Sequence, residues 1–240
     1  MGKLGIYLLA DYPSKDRFIE AVKVCRDFNV DFLEIGFPFS DPIADGDVLE
    51  KASYETLKRY DLDDFIAGLK EAREIFRGRI YIMTYANIVY SSGVGSFLER
   101  VGNVSGVIIA DLPLREVGLF EKEFRRRSIS LIRFLTPESR VEDIESAIQG
   151  AEVSGFIYFI SKRGTTGGDF SLDEETIEKI TRAKGRGVDV YVGFGVKDRE
   201  DIESVCKVAD GAIVGTKAVS ELELGIDAFR DFIRYITGAE

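Results

Sequence analysis

Short apolar runs and amphipathic stretches alternate along the whole chain. Residues 5–9, 31–36, 79–83, 106–110, 130–135, 155–160, 188–193 and 211–214 are apolar at consecutive rather than alternate positions. That pattern predicts parallel strands buried on both faces. Between them the spacing turns helical. One helix opens at Pro13-Ser14, with Phe18, Ala21, Val22 and Cys25 on its apolar face. Others are predicted over 49–60, 62–76 behind Asp61 as N-cap, 96–101, 116–127, 141–148, 198–205 and 226–236. A further helix starts at Ser171 as N-cap with Glu174 in the capping-box position, and a short one follows Gly215-Thr216. No linker or shift of composition interrupts the series. About eight strand–helix units in one run predict an α/β fold, a single (β/α)8 TIM barrel over residues 1–240, rather than an open doubly wound sheet.

One strand breaks the apolar rule. Phe32-Leu33-Glu34-Ile35-Gly36 carries a carboxylate inside a run that should be buried, and the polar turn after it carries a second, Asp45. A buried carboxylate is costly unless it is paired or used. In such barrels the chemistry sits at the carboxyl ends of the strands. Glu34 near that end and Asp45 in the following loop are therefore expected to face one mouth. The chain contains no histidine, so acid–base work near neutral pH falls to groups such as these.

Composition narrows the alternatives. The chain has 240 residues, 45% hydrophobic and 31% charged, with a formal net charge of −10. Arg125-Arg126-Arg127 is the densest basic run, and it closes a predicted helix where cations suit the dipole. An acidic chain without a basic stripe argues against nucleic acid as a partner. Cys25 and Cys206 are isolated, with no CxxC spacing and no histidine beside them, so neither a metal site nor a disulfide framework is expected. The start, Met1-Gly2-Lys3, runs straight into a strand without the apolar length of a signal peptide, and no stretch reaches membrane-spanning length. A cytoplasmic, non-membrane protein is the expectation.

Glycines gather behind the last three predicted strands. Ser161-Lys162-Arg163-Gly164-Thr165-Thr166-Gly167-Gly168 follows the sixth, Gly193-Phe194-Gly195 ends the seventh, and Gly215-Thr216 ends the eighth ahead of the short helix. Backbone N–H groups of such loops, with a helix N-terminus, can hold a phosphate. Barrels commonly place one in this region.

Taken together, these motifs resemble the α chain of tryptophan synthase. The likeness rests on Leu33-Glu34-Ile35-Gly36, Pro38-Phe39-Ser40-Asp41-Pro42 and Ala44-Asp45-Gly46. It continues through Tyr85-Ala86-Asn87, Ala110-Asp111-Leu112-Pro113, the Gly164-to-Gly167 loop, Gly193-Phe194-Gly195 and Gly215-Thr216, in order and at compatible spacing. The resemblance implies a retro-aldol cleavage of indole-3-glycerol phosphate to indole and glyceraldehyde-3-phosphate. It assigns Glu34 as the catalytic acid–base, Asp45 as acceptor of the indole N–H, and Tyr158 as an active-site tyrosine. Thr166 and Gly167 match a closing loop. Gly167, Gly193, Phe194, Gly195, Gly215 and Thr216 match the phosphate-binding set. It further implies a β chain carrying pyridoxal phosphate, in an α2β2 assembly, and no cofactor in this chain. Pro38, Asp41 and Asn87 are then interface candidates, on segment 38–41 and on loop 85–92 with exposed Val89 and Tyr90.

Four departures stand out against the family pattern. Thr216 replaces the usual serine but keeps the hydroxyl. Lys162-Arg163-Gly164-Thr165 makes the closing loop more basic. Asp11-Tyr12 replaces a glycine-containing turn, and the chain begins almost at its first strand, where the family has an extra helix. Two alternatives remain at this point. One is a weakly active subunit that mainly activates its β chain. The other is a different phosphosugar barrel, which should show a catalytic lysine on a strand or paired aspartates on the first and fifth strands.

Overall fold

The computed structural model describes residues 2–151, 155–160, 172–193 and 195–239. The chain runs β1 (Lys3–Leu9), α1 (Lys15–Asp27), β2 (Phe32–Gly36), α2 (Asp47–Leu57), α3 (Leu62–Ile75), β3 (Arg79–Thr84), α4 (Ala86–Ser92), α5 (Val94–Val101), β4 (Gly106–Ile109). It continues with α6 (Gly118–Arg126), β5 (Ser130–Leu131), β6 (Arg133–Leu135), α7 (Val141–Gly150), β7 (Phe156–Ile160), α8 (Glu174–Ala183), β8 (Asp189–Gly193), α9 (Arg199–Val208), β9 (Gly211–Val214), α10 (Thr216–Leu224) and α11 (Ile226–Thr237).

All strand pairs are parallel, in the order β5-β4-β3-β2-β1-β9-β8-β7-β6. The predicted fifth strand arrives as two pieces, β5 and β6. The first pairs with β4 and the second with β7, and between them the Ile132 N–H donates to the Val107 carbonyl at 3.0 Å. The two ends of the sheet are therefore consecutive in the chain, and the barrel closes through this one segment.

Strict alternation divides the strand side chains. Leu4, Ile6 and Leu8 of β1, with Leu33, Ile35, Ile80 and Ile82, pack outward beneath the helices. Tyr7, Leu9, Phe32, Tyr81, Met83, Ile108, Phe156, Tyr158, Tyr191 and Ile213 fill the interior. At the amino-terminal end of the barrel Phe32, Tyr81, Phe156 and Tyr191 form a floor of rings with centroids 4.6–6.0 Å apart. Gly5 makes room for it, since a Cβ there would fall 2.2 Å from the Phe32 ring. Beneath the rings, the Tyr191 hydroxyl and Lys3 Nζ both donate to Asp189, at 2.8 and 2.6 Å. Among the described residues, the rings close the amino-terminal end and the cavity opens at the carboxyl end.

Local expectations met mixed outcomes. Asp61 caps α3 in a reciprocal box with Asp64. The cap of α8 is Asp173 rather than Ser171, its carboxylate accepting from the Thr176 N–H at 2.8 Å; Ser171 lies outside the described residues. Residues 86–92 are helical rather than a loop, because the Asp111 carboxylate takes up the Ala86 N–H at 2.7 Å. On that helix Val89 is fully buried, not exposed, and Tyr90 is exposed. In the turn after β1, Asp11 sits at φ 55° with its side chain buried against Gly68 of α3. Neither of its carboxylate oxygens has a hydrogen-bond partner among the described residues. A non-glycine residue at positive φ with an unsolvated carboxylate is doubly unfavourable.

Candidate active site

A cavity opens at the carboxyl end of the barrel. Its lining includes Tyr7 from β1, Glu34 from β2, Met83 from β3, Tyr158 from β7 and Ile213 from β9, with Asp45, Leu49, Gly195, Gly215 and Thr216 from the loops and helices above. The carboxylates that the sequence singles out thus meet at one mouth. The glycines behind β8 and β9 line the same space.

Glu34 is buried at 1% exposure, and its Oε2 has no hydrogen-bond partner among the described residues. Burial, and secondarily the charge of Asp45, push its pKa up to about 8. Asp45 reaches about 6: burial raises it, the Tyr85 hydroxyl hydrogen bond lowers it, and Glu50 raises it. Burial therefore makes Glu34 keep its proton to higher pH than Asp45 does. Two carboxyl groups in one site with separated titrations mark an acid beside a fixed charge. The Tyr7 and Tyr158 phenols, desolvated and facing both carboxyl groups, are held well above the ordinary tyrosine range and stay neutral.

The loop carrying Asp45 is braced from a distance. Tyr85, at the end of β3, stacks on Phe39 at 4.8 Å and donates its hydroxyl proton to Asp45. The same oxygen accepts the Ala44 N–H at 3.3 Å. Glycine is required beside both interior tyrosines. A Cβ at Gly36 would lie 2.0 Å from the Tyr7 hydroxyl, and one at Gly193 would lie 2.3 Å from that of Tyr158. Gly193 thus seats Tyr158, which lines the cavity.

Thr166, Gly167 and Phe194 lie outside the described residues. Gly215 is the N-cap of α10 with no side-chain cap, and Thr216 is the first helical residue. The amide donors of that first turn are oriented as an anion site requires. Of the interface candidates, Asp41 and Asn87 are exposed. Pro38 is buried, yet borders a groove with Phe39, Leu57 and Ile88. Tyr7, Tyr85 and two cavity-lining lysines, Lys197 and Lys217, carry no role in the sequence reading. Tyr7 could have been found as the polar-tipped aromatic on the inward register of β1, near its carboxyl end.

A closed parallel barrel with two buried carboxyl groups at its carboxyl-end mouth defines a TIM barrel whose candidate active site lies at the strand ends. The profile of the tryptophan synthase alpha chain family matches residues 2–234. The tryptophan synthase alpha chain of Thermococcus kodakarensis is 34% identical over 99% of this chain and 96% of its own. That of Caldicellulosiruptor bescii is 32% identical over 96% and 90%. A solved tryptophan synthase a2b2 complex from Pyrococcus furiosus superimposes with a TM-score of 0.86 at 30% identity, covering 99% of this chain and 100% of that one. The chain belongs to the tryptophan synthase alpha chain family.

Proposed function

We propose that this chain is the lyase subunit that cleaves indole-3-glycerol phosphate to indole and glyceraldehyde-3-phosphate. The observation that carries the reading is that two buried carboxyl groups, Glu34 and Asp45, meet in one cavity, with burial favouring the protonated form of Glu34 more strongly than that of Asp45. The reaction asks for both. Protonated Glu34 delivers its proton to indole C3, and the positive charge that develops spreads to the ring nitrogen. Asp45, ionised and aimed by Tyr85, accepts the indole N–H and stabilises that charge. The bond from C3 to the glycerol carbon then breaks towards the ring. Glu34, now a carboxylate, takes the proton of the adjacent hydroxyl, which becomes the aldehyde. One proton is given and one recovered, so a single group serves both steps. Leu49, Met83 and Ile213 supply the apolar wall for an indole ring. The α10 N-terminus receives the phosphate.

In this reading a β chain carrying pyridoxal phosphate docks on the rim and takes up the indole, as an α2β2 assembly. Asp41, Asn87 and the groove beside Pro38 lie on that rim; no residue of this chain is assigned to the cofactor. The test is indole release from indole-3-glycerol phosphate, measured with and without the cognate β chain. Stoichiometric indole and glyceraldehyde-3-phosphate, with faster turnover in the complex, is the expected result. Failure to release indole in both cases would refute the proposal.

A further inference from the structure

Two lysines stand on the phosphate side of the cavity, where the sequence reading supplies backbone donors alone. Lys197 lies just beyond β8, its N–H held by the Asp201 carboxylate at 3.0 Å. Lys217 is the second residue of α10. Both residues line the cavity with Gly195, Gly215 and Thr216, and they are the only lysines or arginines among its described lining residues. They follow neighbouring strands, β8 and β9, while Glu34 lies on β2 and the loop of Asp45 follows it, on the other side of β1.

Electrostatics give that placement a purpose. A phosphate ester approaching this protein meets a chain of net charge −10 and a cavity with two carboxyl groups. Cations at the end away from those carboxyl groups offset the repulsion and orient the ester with its phosphate towards α10. The Lys217 ammonium is turned along the helix, its Nζ paired with Glu221 Oε1 at 2.5 Å one turn on and 6.0 Å from the Phe232 ring centroid of α11, so reaching the anion requires it to leave Glu221. An anion at the α10 N-terminus competes with Glu221 for the same ammonium group.

We propose that Lys197 and Lys217 form a two-lysine clamp on the phosphate of the substrate, with Glu221 holding Lys217 until the anion arrives. The clamp rests on the reading of this cavity as a phosphate-ester site. The side chain of Lys217 is 44% exposed and Lys197 is an exposed residue, so alanine at either position leaves the core intact.

The experiment is calorimetric titration of the full chain with glycerol 3-phosphate, for wild type, the double variant Lys197→Ala/Lys217→Ala, Lys217→Arg and Glu221→Gln. At low salt the double variant should bind about tenfold more weakly, and the gap should close near 1 M salt, where screening reaches about 3 Å. Lys217→Arg should stay near wild type, and Glu221→Gln should bind more tightly because the lysine is released. Equal affinity and equal salt dependence in wild type and double variant would overturn the clamp while leaving the phosphate site intact. So would weaker binding by Glu221→Gln, which would make the ion pair a brace. No binding by wild type itself would defeat the phosphate-site reading and the clamp with it.

Discussion

Replacing Glu34 by glutamine should separate activity from stability, in opposite directions. The side chain is buried and its pKa is raised from an ordinary 4.5 to about 8. That rise corresponds to about 5 kcal/mol of differential cost for the ionised form, at 1.36 kcal/mol per pH step. Below pH 4.5 folded and unfolded chains both carry the proton, so Glu34 has no effect. Between 4.5 and about 8 the folded chain keeps a proton that the unfolded chain releases. Wild-type stability therefore falls as pH rises through this window and levels off above it. At pH 7 the accumulated penalty is about 3 kcal/mol. Glutamine resembles the neutral acid in the fold but sheds no proton on unfolding. Glu34→Gln should therefore unfold about 3 kcal/mol harder than wild type at pH 7 and about 5 at pH 9, with no gain near pH 4. Urea unfolding across that range measures the difference, and an indole-release assay on the same preparations should show activity nearly abolished. Parallel stability curves for the two proteins from pH 5 to 9 would refute the desolvation argument. Wild-type-like turnover would refute the acid–base role.

Other consequences follow from the same geometry. Wild-type kcat/KM should be bell-shaped with limbs near pH 6 and 8, since Asp45 must be ionised and Glu34 protonated. Asp45→Asn should lower kcat by a factor on the order of 10²–10³ and erase the acid limb. Burial raises Asp11 to about 6. Asp11→Asn, which keeps a side chain tolerant of positive φ, should therefore stabilise the fold by up to about 3 kcal/mol at pH 7 and hardly at all at pH 3.5, by urea titration. Gly193→Ala should displace Tyr158 through its 2.3 Å clash, costing roughly 1–3 kcal/mol of stability and reducing turnover; an unchanged thermal midpoint and kcat would count against the seating role.

What could be read in advance follows the range of the interactions. Glu34 was legible because a carboxylate in a doubly buried strand violates a local pattern, and Asp45 because it closes the following turn. The brace on Asp45 was not, since Tyr85 reaches it from the next strand, and nothing near Tyr85 in sequence announces the stack on Phe39. The helix 86–92 is hidden for the same reason: its first N–H is satisfied by Asp111, 25 residues on, and Val89 is buried by packing that periodicity over seven residues does not reveal. Asp173 displaced Ser171 as cap because several capping residues sit close together there and only the backbone chooses among them. The break at Ile132 is a closure effect: the segment must leave one neighbour and join another to shut the ring.

The four-ring floor gives the barrel a direction. With Phe32, Tyr81, Phe156 and Tyr191 packed across the axis and the Lys3–Asp189 pair beneath them, the barrel is a cup, not a pipe. In the proposed reaction, substrate, released indole and the triose phosphate must all cross the same rim. A partner that captures indole must therefore sit beside the entrance used by substrate, which ties the timing of partner contact to the filling and emptying of the cup.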